Sequence, residues 1–470
     1  MNQQLQEKKT SYTSVLSDYI KNFKYEDIPE EVVERAKMII LQTIGVSLAV
    51  NKTAYADKAL YLATKANGGE EGTVAGWGYG TKLSLDNACF LNGTLSDALD
   101  WEDTSWTGHP AAGIIPCSWC TAEAFGKSGK DVIAAVVLGY EVYQRIACAI
   151  QPTLEMQKNK GWGLTSWQIF GCIAPAAKIF DLDTTQINQA LSLGTSWSTL
   201  PTCLHEFTMS DFYHFEHGFK ARDGILITRM AEQGIKGCMD ALDQKEFYAE
   251  LISDVEDEAW YTRNLGSQWL TMTTLLKHWP ANFWVQTPTE LVKDIVEQNE
   301  IPLEDIKEII IDPPRMSRMD QPPEGGFKSL THAQFSIPYV VSVMLHNKEP
   351  GAYWYSAEML SNPEIIEFAH KVVPGKSDPD PRGLGFKLFR EGSFLKKHIT
   401  VNTYDGKSYD GYMDCPPGHP ANMLTRDEFC DRFRIQAKPV LDTQRTEEFL
   451  EALCNLEECP DVRTLAQYLS

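Results

Sequence analysis

Leu99-Asp100-Trp101-Glu102-Asp103-Thr104, followed by Gly108-His109-Pro110 and the apolar run from Ala111 to Phe125, anchors the reading of this chain. Carboxylates, a hydroxyl and an imidazole fall within ten residues, from Asp100 to His109. Gly108 and Pro110 put the histidine in a turn, and the apolar run predicts a helix packed in a core. Titratable groups at the mouth of a buried helix suit proton transfer, because the surroundings orient an imidazole and hold it near neutral pKa. The same spacing also suits a plain arrangement, an Asp/Thr helix cap beside a surface histidine.

Upstream and downstream, residues 12 to 275 read as mostly helical. Pro29 with Glu30 and Glu31 marks a helix start. Val132 to Ile150 is apolar around most of its circumference and predicts a central helix. Asp183 to Gln186 has the spacing of a capping box. After Met272 the prolines at 280, 288, 302, 313 and 314 interrupt the helical pattern. Lys307 to Asp312 reads as a strand. Lys397 to Tyr404, Asp405-Gly406 and Lys407 to Met413 read as a hairpin, with helices at Ser336 to Leu345 and Ala357 to Ser361. Cys415 to Pro420 has the composition of a hinge, and helical character returns from Thr425 to Leu469. The expected fold is mainly α with a smaller α/β domain.

At 470 residues the chain exceeds what one core usually serves. A net charge of −21 argues against nucleic acid or an anionic membrane as partner. It leaves room for a small anionic carboxylate held by local cations. The sequence reads as lacking a membrane span or an apolar leader at its N-terminus, and the expected location is cytoplasmic. Eleven scattered cysteines suit buried thiols, and Cys117-Ser-Trp-Cys120 reads as core packing rather than a redox or zinc motif. Gly76-Trp-Gly78-Tyr-Gly80 lacks the strand and helix setting of a dinucleotide loop. His205, His214 and His217 form the one metal-like cluster in the sequence, with His214 and His217 sharing a helix face. Lys277 and Arg222 are candidate anion binders, and Arg315 and Arg318 are weaker ones. Lys277 also fits a solvated position at a domain boundary.

Asp97 to Thr104, Gly108-His-Pro, Ile115-Pro116 and Gly129 to Glu141 resemble the signature of the MmgE/PrpD family. The likeness runs nearly end to end. It takes in Glu34 to Gly45, Phe90 to Thr94, Gly171 to Gly194, His217-Gly218 with Gly224, Lys277 with Pro280, Phe335 to Tyr339, and Pro417 to Pro420. The resemblance implies a helical domain from residues 1–274 and 415–470, with an α/β lid over 275–414. It implies a homodimer that works without cofactor or metal. The family includes 2-methylcitrate dehydratase, cis-aconitate decarboxylase and iminodisuccinate epimerase, so the leading expectation is a lyase acting on a small polycarboxylate or hydroxy acid. An epimerase on the same scaffold and a non-catalytic carboxylate binder stand as alternatives, and a metal enzyme built on the histidines as a further one. His109 is expected to move the proton, Asp100 to orient or polarise neighbouring donors, Thr104 to hydrogen-bond substrate and Lys277 to anchor a carboxylate. Three positions depart from the family pattern. Gly163 and Gln286 replace histidines and Tyr213 replaces a lysine in the expected substrate pocket, leaving Tyr213 and His214 as the second acid or base.

Overall fold

The computed structural model describes residues 11–469 other than 68–71, 154, 157, 158, 160–164, 199–202, 348, 378–383, 385, 386, 389 and 390. Its first half is helix on helix. In order come α1 (Tyr12–Asn22), α2 (Glu30–Ala49), α3 (Ala54–Ala63), α4 (Leu85–Asp97), α5 (Pro110–Phe125), α6 (Gly129–Ile150), α7 (Gln168–Ile179), α8 (Thr184–Ser198) and α9 (Glu216–Glu232). Their starts obey local chemistry. Ser84 Oγ accepts from the Asn87 amide at α4, and Ser128 and Asp131 form a capping box at α6. At α8, Gln186 Oε1 accepts from the Asp183 amide at 3.0 Å while Asp183 Oδ1 accepts from the Gln186 amide at 2.9 Å.

By length and composition α6 would cross a membrane, yet it lies wholly inside the protein, as expected of a central helix. Two close glycine contacts fix how α4 and α9 cross. A Cβ on Gly93 would lie 2.9 Å from Gly218 Cα, and one on Gly218 would lie 2.5 Å from the Phe90 carbonyl. The two glycines therefore let α4 and α9 touch backbone to backbone. That brings Asp97, at the end of α4, beside His217, at the start of α9.

The glycine-dense segment at 76–80 is a hairpin turn between β1 (Val74–Gly76) and β2 (Thr81–Leu83). Residues 233–274 differ from the helical expectation. They run as loops and single turns, because their apolar residues lack a sustained helical period. Cys117 and Cys120 are buried, with Cys117 Sγ 3.2 Å from the Cys172 carbonyl and Cys120 Sγ accepting from Asn92.

The smaller α/β part carries a four-stranded sheet ordered β6-β5-β7-β8. Its strands are β5 (Ile306–Asp312), β6 (Val372–Pro374), β7 (Lys397–Thr403) and β8 (Ser408–Met413). β5 runs parallel to β6 and antiparallel to β7, and β7 and β8 form the expected hairpin, with Val401 opposite Tyr409. Ile309, Ile311, Ile399 and Val401 are buried beneath α10 (Phe283–Gln298) and α11 (Ile337–His346). The chain then returns to the helical part, where α12 (Arg426–Ala437) packs against α2 and against α13 (Thr443–Cys454). The architecture is mainly α with a smaller α/β part.

Candidate active site

Two residues of β3 (Asp103–Thr104) pair antiparallel with β4 (Leu275–Leu276), and the Lys277 amide donates to the Glu102 carbonyl at 3.0 Å. Gln42 of α2 donates to the carbonyls of Trp101 and Lys277, at 2.5 and 3.1 Å. Arg432 of α12 donates to the Lys277 carbonyl at 2.7 Å, and the Trp101 indole donates to the His278 carbonyl at 2.8 Å. Segments some 170 residues apart are thus zipped together by backbone polar groups that burial obliges to pair. Asp100, in the middle of the first segment, has φ of 49°, the left-handed region that costs an L-residue energy.

That backbone path places Asp100, Glu102, His109 and Lys277 in one buried cluster. Lys277 Nζ donates to Asp100 Oδ1, and to Glu102 Oε1 at 2.8 Å. His109 Nδ1 bonds Glu102 Oε1, while Asp100 Oδ1 and Asp97 Oδ1 each lie 3.7 Å from the same nitrogen. Asp100 therefore stands against a neighbouring donor, the lysine, and the carboxylate bonded directly to the imidazole is Glu102. On the other side of the ring, Tyr213 Oη lies 3.2 Å from His109 Nε2. Glu102, His109 and Tyr213 therefore form one hydrogen-bonded chain. With Nδ1–H donated to Glu102, Nε2 is left to exchange a proton with the phenol.

A second layer centres on Asp97. The end of a helix is a poor place for a carboxylate, since the dipole is negative there. His214 Nδ1 meets Asp97 Oδ2 at 2.8 Å and His217 Nε2 lies 3.7 Å from Oδ1. The His217 and His109 rings are 5.7 Å apart. Asp103 takes the capping role that the sequence also allowed. Its Oδ1 accepts from the Ala111 amide at 2.9 Å and its Oδ2 from Tyr140 at 2.5 Å, which ties it to the start of α5. His109, by contrast, is only 4% exposed and is no surface histidine.

Burial opposes every charge here, and neighbours decide the outcome. Burial pushes the Glu102 carboxyl up against the pull of Lys277. His109 ends above the usual imidazole value. Burial and Lys277 lower it, but the hydrogen bond and charge of Glu102 and the charge of Asp100 win. His214 is likewise raised, Asp97 overcoming burial. Asp97 itself is held low, with His217 and His214 outweighing burial. Burial drives His217 down to about 4, although Asp97 pulls the other way. Lys277 is raised despite burial by Asp100 and Glu102. Burial, followed by the charges of Asp100 and Asp97, keeps Tyr213 firmly protonated.

Other expected residues lie elsewhere. Thr104 Oγ1 is 3.4 Å from the Gly108 carbonyl and 3.5 Å from that of Ser105, so its hydroxyl faces its own loop. Gln286 is a structural clamp. Its Oε1 accepts from the amides of His278 and Trp279, and its Nε2 donates to the carbonyls of Trp279 and Ala281, all within 3.0 Å. Those four bonds exhaust its amide. Arg222 is half-exposed, paired with its neighbour Asp223 and stacked on Phe219. Gly163 lies outside the described residues. His205 bonds Ser210 at 2.9 Å and lies tilted against the Phe212 ring at 4.6 Å, and among the described residues it forms no metal-holding group with His214 and His217. Among the described residues, the group with metal-holding geometry is instead Asp97, Glu102 and His109, and the Lys277 ammonium already stands against two of these.

Arg318, a weaker candidate in the sequence, is a buried cation of the α/β part. It is buried over the Phe335 ring, which meets Tyr213 edge-on at 5.5 Å, and it donates to Asn282 at 3.2 Å and Glu206 at 3.4 Å. Glu102 and Asp97 belong to the sequence motifs without being singled out there as site residues, and His217 stood out only as a metal-like ligand. Their closeness to Asp100 and His214 in the chain was the available signal. Several buried atoms of this cluster have no hydrogen-bond partner among the described residues: Asp100 Oδ2, Glu102 Oε2, His214 Nε2 and both ring nitrogens of His217. Each such atom costs roughly 1–3 kcal/mol, which a ligand with polar groups offsets.

Comparison with known proteins agrees with the resemblance read from the sequence. The MmgE/PrpD N-terminal domain model matches residues 14–260 and the MmgE/PrpD C-terminal domain model matches residues 279–458. The chain is 24% identical over 491 aligned residues to a cis-aconitate decarboxylase of Aspergillus terreus (strain NIH 2624 / FGSC A1156), covering 98% of this chain and 96% of that protein. It is 25% identical to the Homo sapiens cis-aconitate decarboxylase, covering 98% and 94% of the two chains, and 22% identical to that of Mus musculus, covering 98% and 93%. With both domain models matched in order and across most of its length, this chain belongs to the MmgE/PrpD family.

Proposed function

We propose that the protein is a lyase that removes a carboxylate from a small polycarboxylate by proton transfer, without a bound cofactor. The observation that carries this is the chain Glu102–His109–Tyr213, with His109 raised and Tyr213 kept protonated. Such groups are poised to give a proton rather than take one. Decarboxylation needs a donor. The C–C bond breaks, carbon dioxide leaves, and the bonding pair spreads into the neighbouring unsaturated carboxylate. The carbon that receives the pair then takes a proton from Tyr213, which His109 restores through Nε2. Lys277 and Arg318 are the cations that stabilise the charge in transit, and His214 is a further donor to a substrate carboxylate. The names of the relatives point to the same reaction.

The test is proton NMR in deuterated water with cis-aconitate, 2-methylcitrate, citrate and iminodisuccinate. The expected result is consumption of cis-aconitate with release of carbon dioxide and one deuterium in the product. His109→Gln, checked for an unchanged melting temperature, should lose this turnover. Hydrogen exchange beside a carboxylate with no loss of carbon dioxide would replace decarboxylation by epimerisation, and a His109→Gln protein of near-normal activity would overturn the assignment.

A further inference from the structure

A cavity of about 490 Å³ opens at the seam between the helical and α/β parts. Its rim carries Lys52, Lys58 and Lys328, all exposed and, among the described residues, none ion-paired with a carboxylate, against a single Asp211. On a chain of net charge −21 this is a local basic surface. The start of α3, capped by Thr53, opens onto the same space and adds its positive dipole end.

The inner wall is shared with the catalytic cluster. Tyr55 meets the His214 ring edge-on at 5.8 Å and lies in the field of Asp97. It is nine-tenths buried, and its hydroxyl has no hydrogen-bond partner among the described residues. Leu99 is the residue before Asp100, and Tyr355, bonded to the Pro280 carbonyl, lies in the field of Asp100. The cavity is thus one side chain away from the proton-transfer groups.

We infer that this cavity is the anion-collecting vestibule of the site, binding a small polycarboxylate on Lys52, Lys58 and Lys328 before it reaches Lys277. This rests on the reading of the cluster as a polycarboxylate site. The physical need is plain. An acidic protein repels a polyanion at long range, and a basic mouth restores the encounter rate, typically by about 10-fold to 1000-fold. The three ammonium groups supply charge, and the Tyr55 hydroxyl supplies a directed donor deeper in.

The test compares the Lys52→Gln/Lys58→Gln/Lys328→Gln protein with a charge-matched control, Lys236→Gln/Lys307→Gln/Lys376→Gln. Citrate is titrated calorimetrically into each, and kcat/KM for the turned-over polycarboxylate is measured from about 0.02 to about 0.5 M salt. The expected result is citrate binding weakened about 10-fold or more in the vestibule variant alone, with kcat/KM lowered at low salt and converging with wild type at high salt. Arginine at the three positions should restore both. Unchanged citrate binding in the vestibule variant, or no citrate binding by the wild-type protein, overturns the inference. Turnover with an unchanged salt slope leaves the lyase reading standing and removes the vestibule. Citrate binding lost in the variant, without turnover of any polycarboxylate, does the reverse.

Discussion

Glu102→Gln is the sharpest perturbation the site offers, because it removes a charge and leaves the shape. Glu102 Oε1 bonds both His109 Nδ1 and Lys277 Nζ in a fully buried setting. The amide oxygen of glutamine can still accept from Nδ1–H. The loss is the difference between a charge-assisted bond, roughly 1.5–3 kcal/mol, and a neutral one of about 1 kcal/mol. Lys277, 3.2 Å from Nδ1, then acts on the ring with less of its charge offset. Together these lower the His109 pKa by about 1 to 2 units at 1.36 kcal/mol per unit. Asp97 and Asp100 remain 3.7 Å away and limit the fall. The active form sets the sign. His109 gives a proton, so activity is lost as pH rises through its pKa, and a lower pKa moves that loss to more acid solution. The alkaline limb of the kcat profile should therefore move down by about 1 to 2 units, with kcat reduced roughly 10-fold to 100-fold above the limb and largely recovered below it. The assay is a kcat–pH profile alongside melting temperatures at each pH. A uniform loss of kcat with the limb in place would refute the reasoning, since a merely structural role for Glu102 predicts that pattern.

Three further outcomes rest on the same geometry. Burial holds His217 at about 4, below its unfolded value near 6.5, so its contribution to stability is present above pH 6.5 and is lost as pH falls toward 4. His217→Gln should remove a pH-dependent loss of about 3 kcal/mol from urea unfolding across that window, and an unchanged slope would count against it. Gln286→Leu strands two amides and two carbonyls of the loop after Lys277 and should cost about 3 kcal/mol or more in unfolding free energy; a change below about 1 kcal/mol would show the clamp to be dispensable. Arg318→Met should raise KM about 10-fold or more, while Arg222→Ala should leave kcat/KM within about twofold; the reverse ranking in steady-state kinetics would put the anion-binding arginine on α9 rather than in the α/β part.

The local chemistry of this chain was legible from its residues alone. Cap residues, the apolar run after Pro110, the Asp405-Gly406 turn and the β-branched strand at 307–312 each act over a few residues, so pattern reading found them. The likeness of whole motifs placed His109, Lys277, Tyr213 and His214 near one another, and they do share a cluster. The sequence did not contain the partnering inside that cluster. Asp97, Asp100, Glu102 and Asp103 look interchangeable along the chain. The left-handed turn at Asp100 and the β3–β4 pairing rotate them toward His214, Lys277, His109 and the start of α5 respectively. The partners of Gln286 and Arg222 were hidden for the same reason, because a polar side chain shows what it can bond but not which groups burial sets before it. Composition and local propensity determined the elements. Only the tertiary structure, by packing Gly93 on Gly218 and zipping residues 101–104 onto 275–277, decided which charges meet in a buried environment, where a few ångströms set the proton affinity of each group.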